Sequence, residues 1–137
     1  MKNLLKKLAL TLFTICVLGA PIVYAQDFSQ LVDILRGTRI VAQDDKNTYL
    51  GKLANEYDSD SIFNEYGTYG SEYSSKSIWN EYSTFGSEYS SYSPFNSYTS
   101  TPPMIIKSGK VIGYLTTNKT IKAGVSPNLL KAIKDEF

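Results

Sequence analysis

A short internal repeat is the feature that most constrains the fold of this chain. Residues 61–76 read SIFNEYGTYGSEYSSK and residues 77–92 read SIWNEYSTFGSEYSSY, so 12 of 16 positions are identical. A shortened third copy, SPFNSY, follows at residues 93–98. Identity this dense over so short a stretch indicates one small structural unit that is used several times. Any fold predicted for the chain must therefore place equivalent units side by side.

The dipeptide Glu-Tyr divides each copy into two unequal halves. It begins at residues 56, 65, 72, 81 and 88, in steps of nine, seven, nine and seven residues. The array therefore starts upstream of the first full copy, and we place it at residues 55–98. Within a copy the aromatic residues are spaced by three, three and four, which suits one face of a helix.

A Gly-Ser pair interrupts any such helix near the end of each copy. Each copy is therefore predicted to be a short helical turn capped by Ser61 or Ser77, followed by an extended or turn segment. Stacked β-arcs in a solenoid are the competing interpretation. Because Ile62 and Ile78 are the clearest aliphatic residues here, aromatic rings must supply most of the local core. The alternative to such an ordered array is a disordered, aggregation-prone tract.

The segments on either side of the array predict an α+β domain. Residues 28–36 carry apolar residues at helical spacing, and Ser126 followed by Pro127 predicts the start of a second helix. Two hairpins are expected, the second with a turn at Ser108-Gly109. The predicted fold is a small antiparallel sheet of two hairpins flanking a Tyr/Ser-rich repeat array of short helical turns, with N- and C-terminal helices. The strands are expected at residues 38–42, 48–53, 104–107 and 111–116.

The first 25 residues have the composition of a secretory signal peptide. Three lysines precede an apolar stretch at residues 8–19, and Val23-Tyr24-Ala25 forms a cleavage site. A membrane anchor is the alternative, but Gly19 and Pro21 interrupt an apolar stretch shorter than the roughly 20 residues that a span requires. We therefore expect residues 1–25 to be removed and residues 26–137 to form a single secreted or periplasmic domain.

Composition excludes several kinds of chemistry. The chain has no histidine, which removes a Ser-His-Asp triad and the commonest general base. A Ser-Lys dyad remains open, although no motif indicates one. The single cysteine, Cys16, lies in the predicted signal peptide, so no disulfide is expected. Without the three lysines of that peptide the net charge of +1 becomes −2, which favours neither nucleic acid nor a membrane as partner.

Acidic residues provide two alternative sites. Glu65 with Glu72, or the equivalent pair in the next copy, has the residue types of a hydrolase acid and base. Repeated equivalent carboxylates are, however, more typical of a solvated surface. Residues 58–60 with Asn64 and Glu65 offer oxygen ligands for Ca²⁺, but their spacing matches no EF-hand loop, and a helix cap is the simpler interpretation. We therefore predict no catalytic residues, no metal and no cofactor.

Recognition is the remaining function that the repeat suggests. Aromatic rings stack on the apolar faces of sugars, and amide groups hydrogen-bond to hydroxyl groups. The competing interpretation is that the rings are buried core. The expected partner is a cell-envelope glycan or protein. The candidate binding residues are Trp79, Tyr66, Tyr82, Asn64 and Asn80.

The sequence of residues 49–118 resembles that of an uncharacterised bacterial exported module. The shared features are the Tyr-Gly-x-Tyr-Gly-Ser-x-Tyr-Ser repeats, the Pro-Pro pair and the Gly-Tyr-Leu-Thr ending. Ser83 departs from the pattern, which has glycine at that position, as at Gly67. The resemblance implies a module found alone or appended to secreted proteins such as trypsin-like proteases. It implies no activity and no site residues.

Together these features predict an exported, non-enzymatic binding or envelope-interaction domain. The alternative is a hydrolase, or an accessory module of an exported enzyme, that uses the repeat carboxylates. A module that only stabilises or spaces exported proteins is a third possibility.

Overall fold

The computed structural model describes the backbone of residues 21–137 and the side chains of residues 28–137. Residues 1–20, and with them most of the predicted signal peptide, lie outside the described residues. No helix within residues 21–137 is long and apolar enough to cross a membrane. The elements are α1 (Pro21–Leu35), β1 (Arg39–Val41), β2 (Tyr49–Lys52), β3 (Met104–Lys107), β4 (Lys110–Leu115), β5 (Gly124–Val125), α2 (Pro127–Ala132) and a short 3₁₀ helix (Lys134–Glu136).

The five strands form one mixed sheet in the order β2-β1-β3-β4-β5. β1 pairs antiparallel with β2 and β3, and β3 pairs antiparallel with β4. β5 pairs parallel with β4. The prediction of a purely antiparallel sheet is therefore wrong, and the sheet is mixed. The two strands that flank the array in the chain, β2 and β3, lie on either side of β1. A small mixed sheet with two helices confirms the α+β class.

One core joins the helices, the sheet and the array. Helix α1 contributes Leu31, Val32 and Leu35 from its apolar face. The array contributes Ile62, Phe63 and Ile78, which pack in the same cluster. Burial of such side chains is the main stabilising contribution in a domain of this size. The other buried members of the cluster are Ile34, Ile40, Ala42, Leu50, Leu53, Ile105, Ile112, Leu115, Val125, Leu130 and Phe137.

Both ends of the array are held by backbone hydrogen bonds to the sheet side of the domain. At the first end Lys52 N–H donates to Asp60 O at 2.9 Å, and Ile62 N–H donates to Lys52 O at 3.0 Å. At the other end Thr117 N–H donates to Pro94 O at 2.8 Å. The amide of Gln43 also donates to Pro102 O at 2.7 Å. Residues 55–102 are therefore anchored to the sheet side of the domain at both ends.

Candidate functional site

Residues 55–102 consist of hydrogen-bonded turns and contain no α-helix. Backbone N–H to C=O bonds link every third residue from Asn55 to Thr99, with one four-residue step after Gly67 and another after Ser83. Four steps of three and one of four make 16 residues. These steps explain the spacing of the Glu-Tyr pairs. A spacing of nine residues is three three-residue steps, and a spacing of seven is one three-residue step and one four-residue step.

The same pattern shows that the third copy is longer than its sequence identity suggests. The turns continue with the same spacing from Ser87 to Thr99. The copies therefore occupy residues 55–70, 71–86 and 87–102. The third has serine, asparagine or threonine at its turn positions but replaces most other residues.

A side-chain oxygen closes nearly every turn. At thirteen of the fifteen turn starts an Asn, Asp, Ser or Thr side chain accepts the N–H of the second residue after it. Such short polar side chains stabilise turns because they replace a backbone acceptor. The exceptions are Gly67 and Ser83, and the hydroxyl of Ser83 instead donates to Asn80 O at 2.9 Å and to Ser77 O at 3.2 Å. The polar side chains of the array thus stabilise its backbone turns.

Three asparagines make a second, equivalent contact. The amide groups of Asn64, Asn80 and Asn96 each donate to the carbonyl oxygen six residues earlier, at 3.2, 3.0 and 3.1 Å. Each amide oxygen also accepts a turn N–H. Asn64 and Asn80, two of the residues predicted to bind a ligand, therefore hold two successive turns together with their side chains.

The interior of the array is a column of equivalent residues. Ser61, Ser77 and Ser93 are fully buried, and the next residue in each copy, Ile62, Ile78 or Pro94, is buried too. Phe63, Trp79 and Phe95 follow at the next position. Phe63 packs on Phe137 with ring centroids 5.4 Å apart, and Trp79 packs on Phe95 at 5.8 Å.

Six tyrosines point away from this interior and contribute almost nothing to the core. They are between 85% and 98% exposed, and they occupy the same two positions in every copy. Burial of the ring is the usual reason for a tyrosine in a small domain, and it does not apply here. These residues are Tyr57, Tyr66, Tyr73, Tyr82, Tyr89 and Tyr98.

Four of the six tyrosines line one open groove, of about 990 Å³. They are Tyr66, Tyr73, Tyr82 and Tyr89, and each is preceded by a glutamate that also lines the groove. The least exposed lining residues, among them Ile62, Ile78, Phe63, Trp79 and Phe95, form its base. The C-terminal segment adds Lys131 and Lys134. Tyr57 and Tyr98 lie outside the groove.

The groove carries an excess of negative charge. Glu65, Glu72, Glu81 and Glu88 face two lysines, and within residues 28–137 none of the four carboxylates forms an ion pair. Glu72 accepts a hydrogen bond from Tyr73 and thereby raises the pKa of that tyrosine. Glu88 does the same for the pKa of Tyr89.

Trp79 lies at the base of the groove with one polar atom satisfied. Its indole N–H donates to Ile62 O at 2.5 Å, which links the second copy to the first. The ammonium of Lys131 lies 4.9 Å from the centre of the Trp79 ring, a cation–π contact. The structure thus brings together three of the five predicted binding residues, Trp79, Tyr66 and Tyr82, in one groove. Tyr73 and Tyr89 were not among the predicted binding residues, although they follow glutamate in the same way as Tyr66 and Tyr82.

The carboxylates considered for calcium have structural partners. Asp58 pairs with Lys52 at 2.9 Å and also caps a turn through the N–H of Asp60. The hydrogen bond from Lys52 lowers the pKa of Asp58, and Asp58 raises the pKa of Lys52. Asp60 accepts a hydrogen bond from the hydroxyl of Tyr49 at 3.1 Å. Within the described part of the chain no group of three or more acidic, cysteine or histidine side chains is placed to hold a metal.

No protein-family model, curated protein or solved structure matches this chain.

Proposed function

We propose that this protein is an exported, non-enzymatic binding domain whose groove binds a glycan of the cell envelope. The observation that carries the proposal is the set of six exposed tyrosines at two equivalent positions of three copies. The core and the turns can form without these rings. A selective requirement outside the fold, such as a ligand, accounts for their presence at every equivalent position.

The chemistry of the groove favours a sugar ligand. Tyrosine rings present flat apolar faces for stacking, and their hydroxyl groups remain wet. The neighbouring glutamates accept hydrogen bonds from hydroxyl groups. A volume near 990 Å³ lies at the upper end of the range for small-molecule sites and accommodates several sugar units. A polymer with a repeated unit suits a groove whose lining repeats.

We further infer that residues 55–102 function as one repeat array, bracketed by two hairpins, in a secreted or periplasmic domain. The antiparallel pairs β1–β2 and β3–β4, together with the regular turns, support this arrangement. The resemblance of residues 49–118 to an exported bacterial module supports the proposed location.

Sedimentation of the purified protein with insoluble cell-wall glycan tests the proposal. The double variant Tyr66→Ser/Tyr82→Ser removes two groove rings, and we expect it to lose most binding. The matched control is Tyr57→Ser/Tyr98→Ser, which removes two rings of similar exposure outside the groove. Equal retention of binding by both variants would exclude the groove as the binding site.

A hydrolase, or an accessory module of one, is the second candidate, because four glutamates line the same groove. A catalytic pair has to break the symmetry of the repeat, since acid and base play different roles. Hydrolysis that is abolished by Glu65→Gln and unaffected by Glu81→Gln would support this function. If neither substitution changes the hydrolysis of cell-wall glycan, the carboxylates serve binding alone.

A further inference from the structure

The groove contains unpaired negative charge and exposed aromatic faces in the same place. Glu65, Glu72, Glu81 and Glu88 line it together with four tyrosines, and none of these carboxylates has an ion-pair partner within the described residues. Neutral sugars offer these carboxylates only uncharged donors, namely hydroxyl and amide groups. A ligand that brings positive charge into the groove gains charge-assisted hydrogen bonds, which are stronger than neutral ones.

The protein itself shows where an ammonium group fits in this groove. Lys131 places its ammonium 4.9 Å from the centre of the Trp79 ring, on the lining of the groove. Aromatic faces attract cations through the electrostatics of the ring, and adjacent carboxylates add to the attraction. Trp79, in a groove that four glutamates also line, is therefore a suitable environment for the amino group of a ligand.

We propose that the glycan bound by this groove carries free amino groups and is a polymer of hexosamine units that are wholly or partly without N-acetyl groups. This inference rests on the proposed glycan-binding function and specifies its ligand. Sugar rings stack on the tyrosines. The amino groups pair with the four glutamates, and one of them approaches Trp79 near the position of Lys131.

Titration of the whole protein with a glucosamine oligomer and with an N-acetylglucosamine oligomer of equal length tests the proposal. Trp79 is the only tryptophan of the chain, so its fluorescence reports occupancy of the groove. We expect the glucosamine oligomer to bind at least about tenfold more tightly, because several rim charges contribute together. We also expect this preference to fall as the salt concentration rises.

Substitution of the glutamates provides the matched control. Glu65→Gln/Glu81→Gln and Glu72→Gln/Glu88→Gln keep the shape of the side chain and remove its charge, and each is expected to remove most of the preference for the amino oligomer. Glu56→Gln changes the equivalent glutamate of the first copy, which lies outside the groove, and is expected to leave binding unchanged. Lys131→Gln removes a competing positive charge and is expected to tighten binding of the amino oligomer. Weaker binding after Lys131→Gln would count against the assigned position of the amino group.

The outcomes separate this inference from the proposed function. Equal binding of the two oligomers, with loss in Tyr66→Ser/Tyr82→Ser, would overturn the preference for amino groups and leave the glycan-binding function in place. Binding of neither oligomer or of any cell-wall glycan would overturn both. Binding of an oligolysine peptide that equals that of the glucosamine oligomer would overturn the glycan as ligand and favour a basic protein segment.

Discussion

At the scale of single residues the array depends on short polar side chains placed every third residue. A serine, asparagine or aspartate at a turn start accepts a hydrogen bond from the backbone N–H two residues later. This N–H would otherwise have no acceptor within the protein. The rule explains why a chain segment rich in serine and asparagine is ordered. It also explains why equivalent positions differ in residue type and agree in hydrogen-bonding ability.

Asn80 offers a direct test of this rule. Its amide oxygen accepts the N–H of Tyr82 at 3.0 Å and its amide nitrogen donates to Ser74 O at 3.0 Å. We expect Asn80→Ala to lower the free energy of unfolding by about 2 kcal/mol. Asn80→Asp keeps only the acceptor and is expected to cost less than alanine. Thr84→Ala, at an exposed position of the same copy, should stay within about 0.5 kcal/mol of the parent in urea unfolding.

Gly70 is required for a different reason, which is close backbone approach. A Cβ atom at residue 70 would lie 2.0 Å from Asn64 O, and Gly86 has the same relation to Asn80 O. We expect Gly70→Ala to destabilise the protein by about 3 kcal/mol or more, since the obstacle is backbone and cannot rotate away. The control is Gly67→Ser, the residue that the second copy already has at Ser83. A thermal midpoint for Gly70→Ala equal to that of the control would contradict the contact.

At the scale of elements the first copy packs against β2 through a hydrogen bond and an aromatic contact, both made by Tyr49. The hydroxyl of Tyr49 donates to Asp60 at 3.1 Å, and its ring meets Tyr69 edge-on with centroids 5.0 Å apart. Gly51, with a φ of +99°, lies where a Cβ would come within 2.6 Å of Tyr69. Glycine at this position therefore lets the strand and the array pack closely.

The Tyr49 contact predicts a loss of stability at alkaline pH. Burial first, and then the charge of Asp60, raise the pKa of Tyr49 from 10.0 to about 12. The neutral phenol therefore stabilises the folded state fully below pH 10, and this contribution is lost as the pH rises from 10 to about 12. We expect the urea midpoint of the parent to fall more steeply over this window than that of Tyr49→Phe. Parallel slopes for the two proteins would contradict the assignment.

The elements that the sequence predicted well are those with strong local signals. The turn at Ser108-Gly109 has positive φ at both residues, +52° and +77°, as a tight two-residue turn requires. Helix α2 begins at Pro127 after Ser126, although the side chain of Ser126 makes no capping hydrogen bond. Strand β5 was not predicted, because two residues provide no alternation and its pairing with β4 depends on tertiary contacts.

At the scale of the whole molecule the positions that build the fold differ from the positions that we propose to bind a ligand. Three successive positions of each copy build the interior: a serine, then isoleucine or proline, then an aromatic residue. The Glu-Tyr pairs lie on the surface. The sequence predicted the α+β class, which the structure confirms, whereas the role of Tyr66, Tyr82 and Trp79 in binding stays a prediction. It did not predict the three-residue turns, because aromatic spacings of three, three and four favour one face of a helix. Nor did it reveal that Asn64 and Asn80 support the turns, since the bond from each amide to the carbonyl six residues earlier depends on how successive turns stack.

Chemical mapping of the tyrosines tests the central claim most directly. Nitration of the free protein, followed by mass spectrometry, is expected to modify all six exposed tyrosines. In the presence of the bound glycan we expect protection of the four groove residues, Tyr66, Tyr73, Tyr82 and Tyr89, and continued modification of Tyr57 and Tyr98. Equal modification of all six with the glycan bound, or protection confined to Tyr57 and Tyr98, would contradict the account.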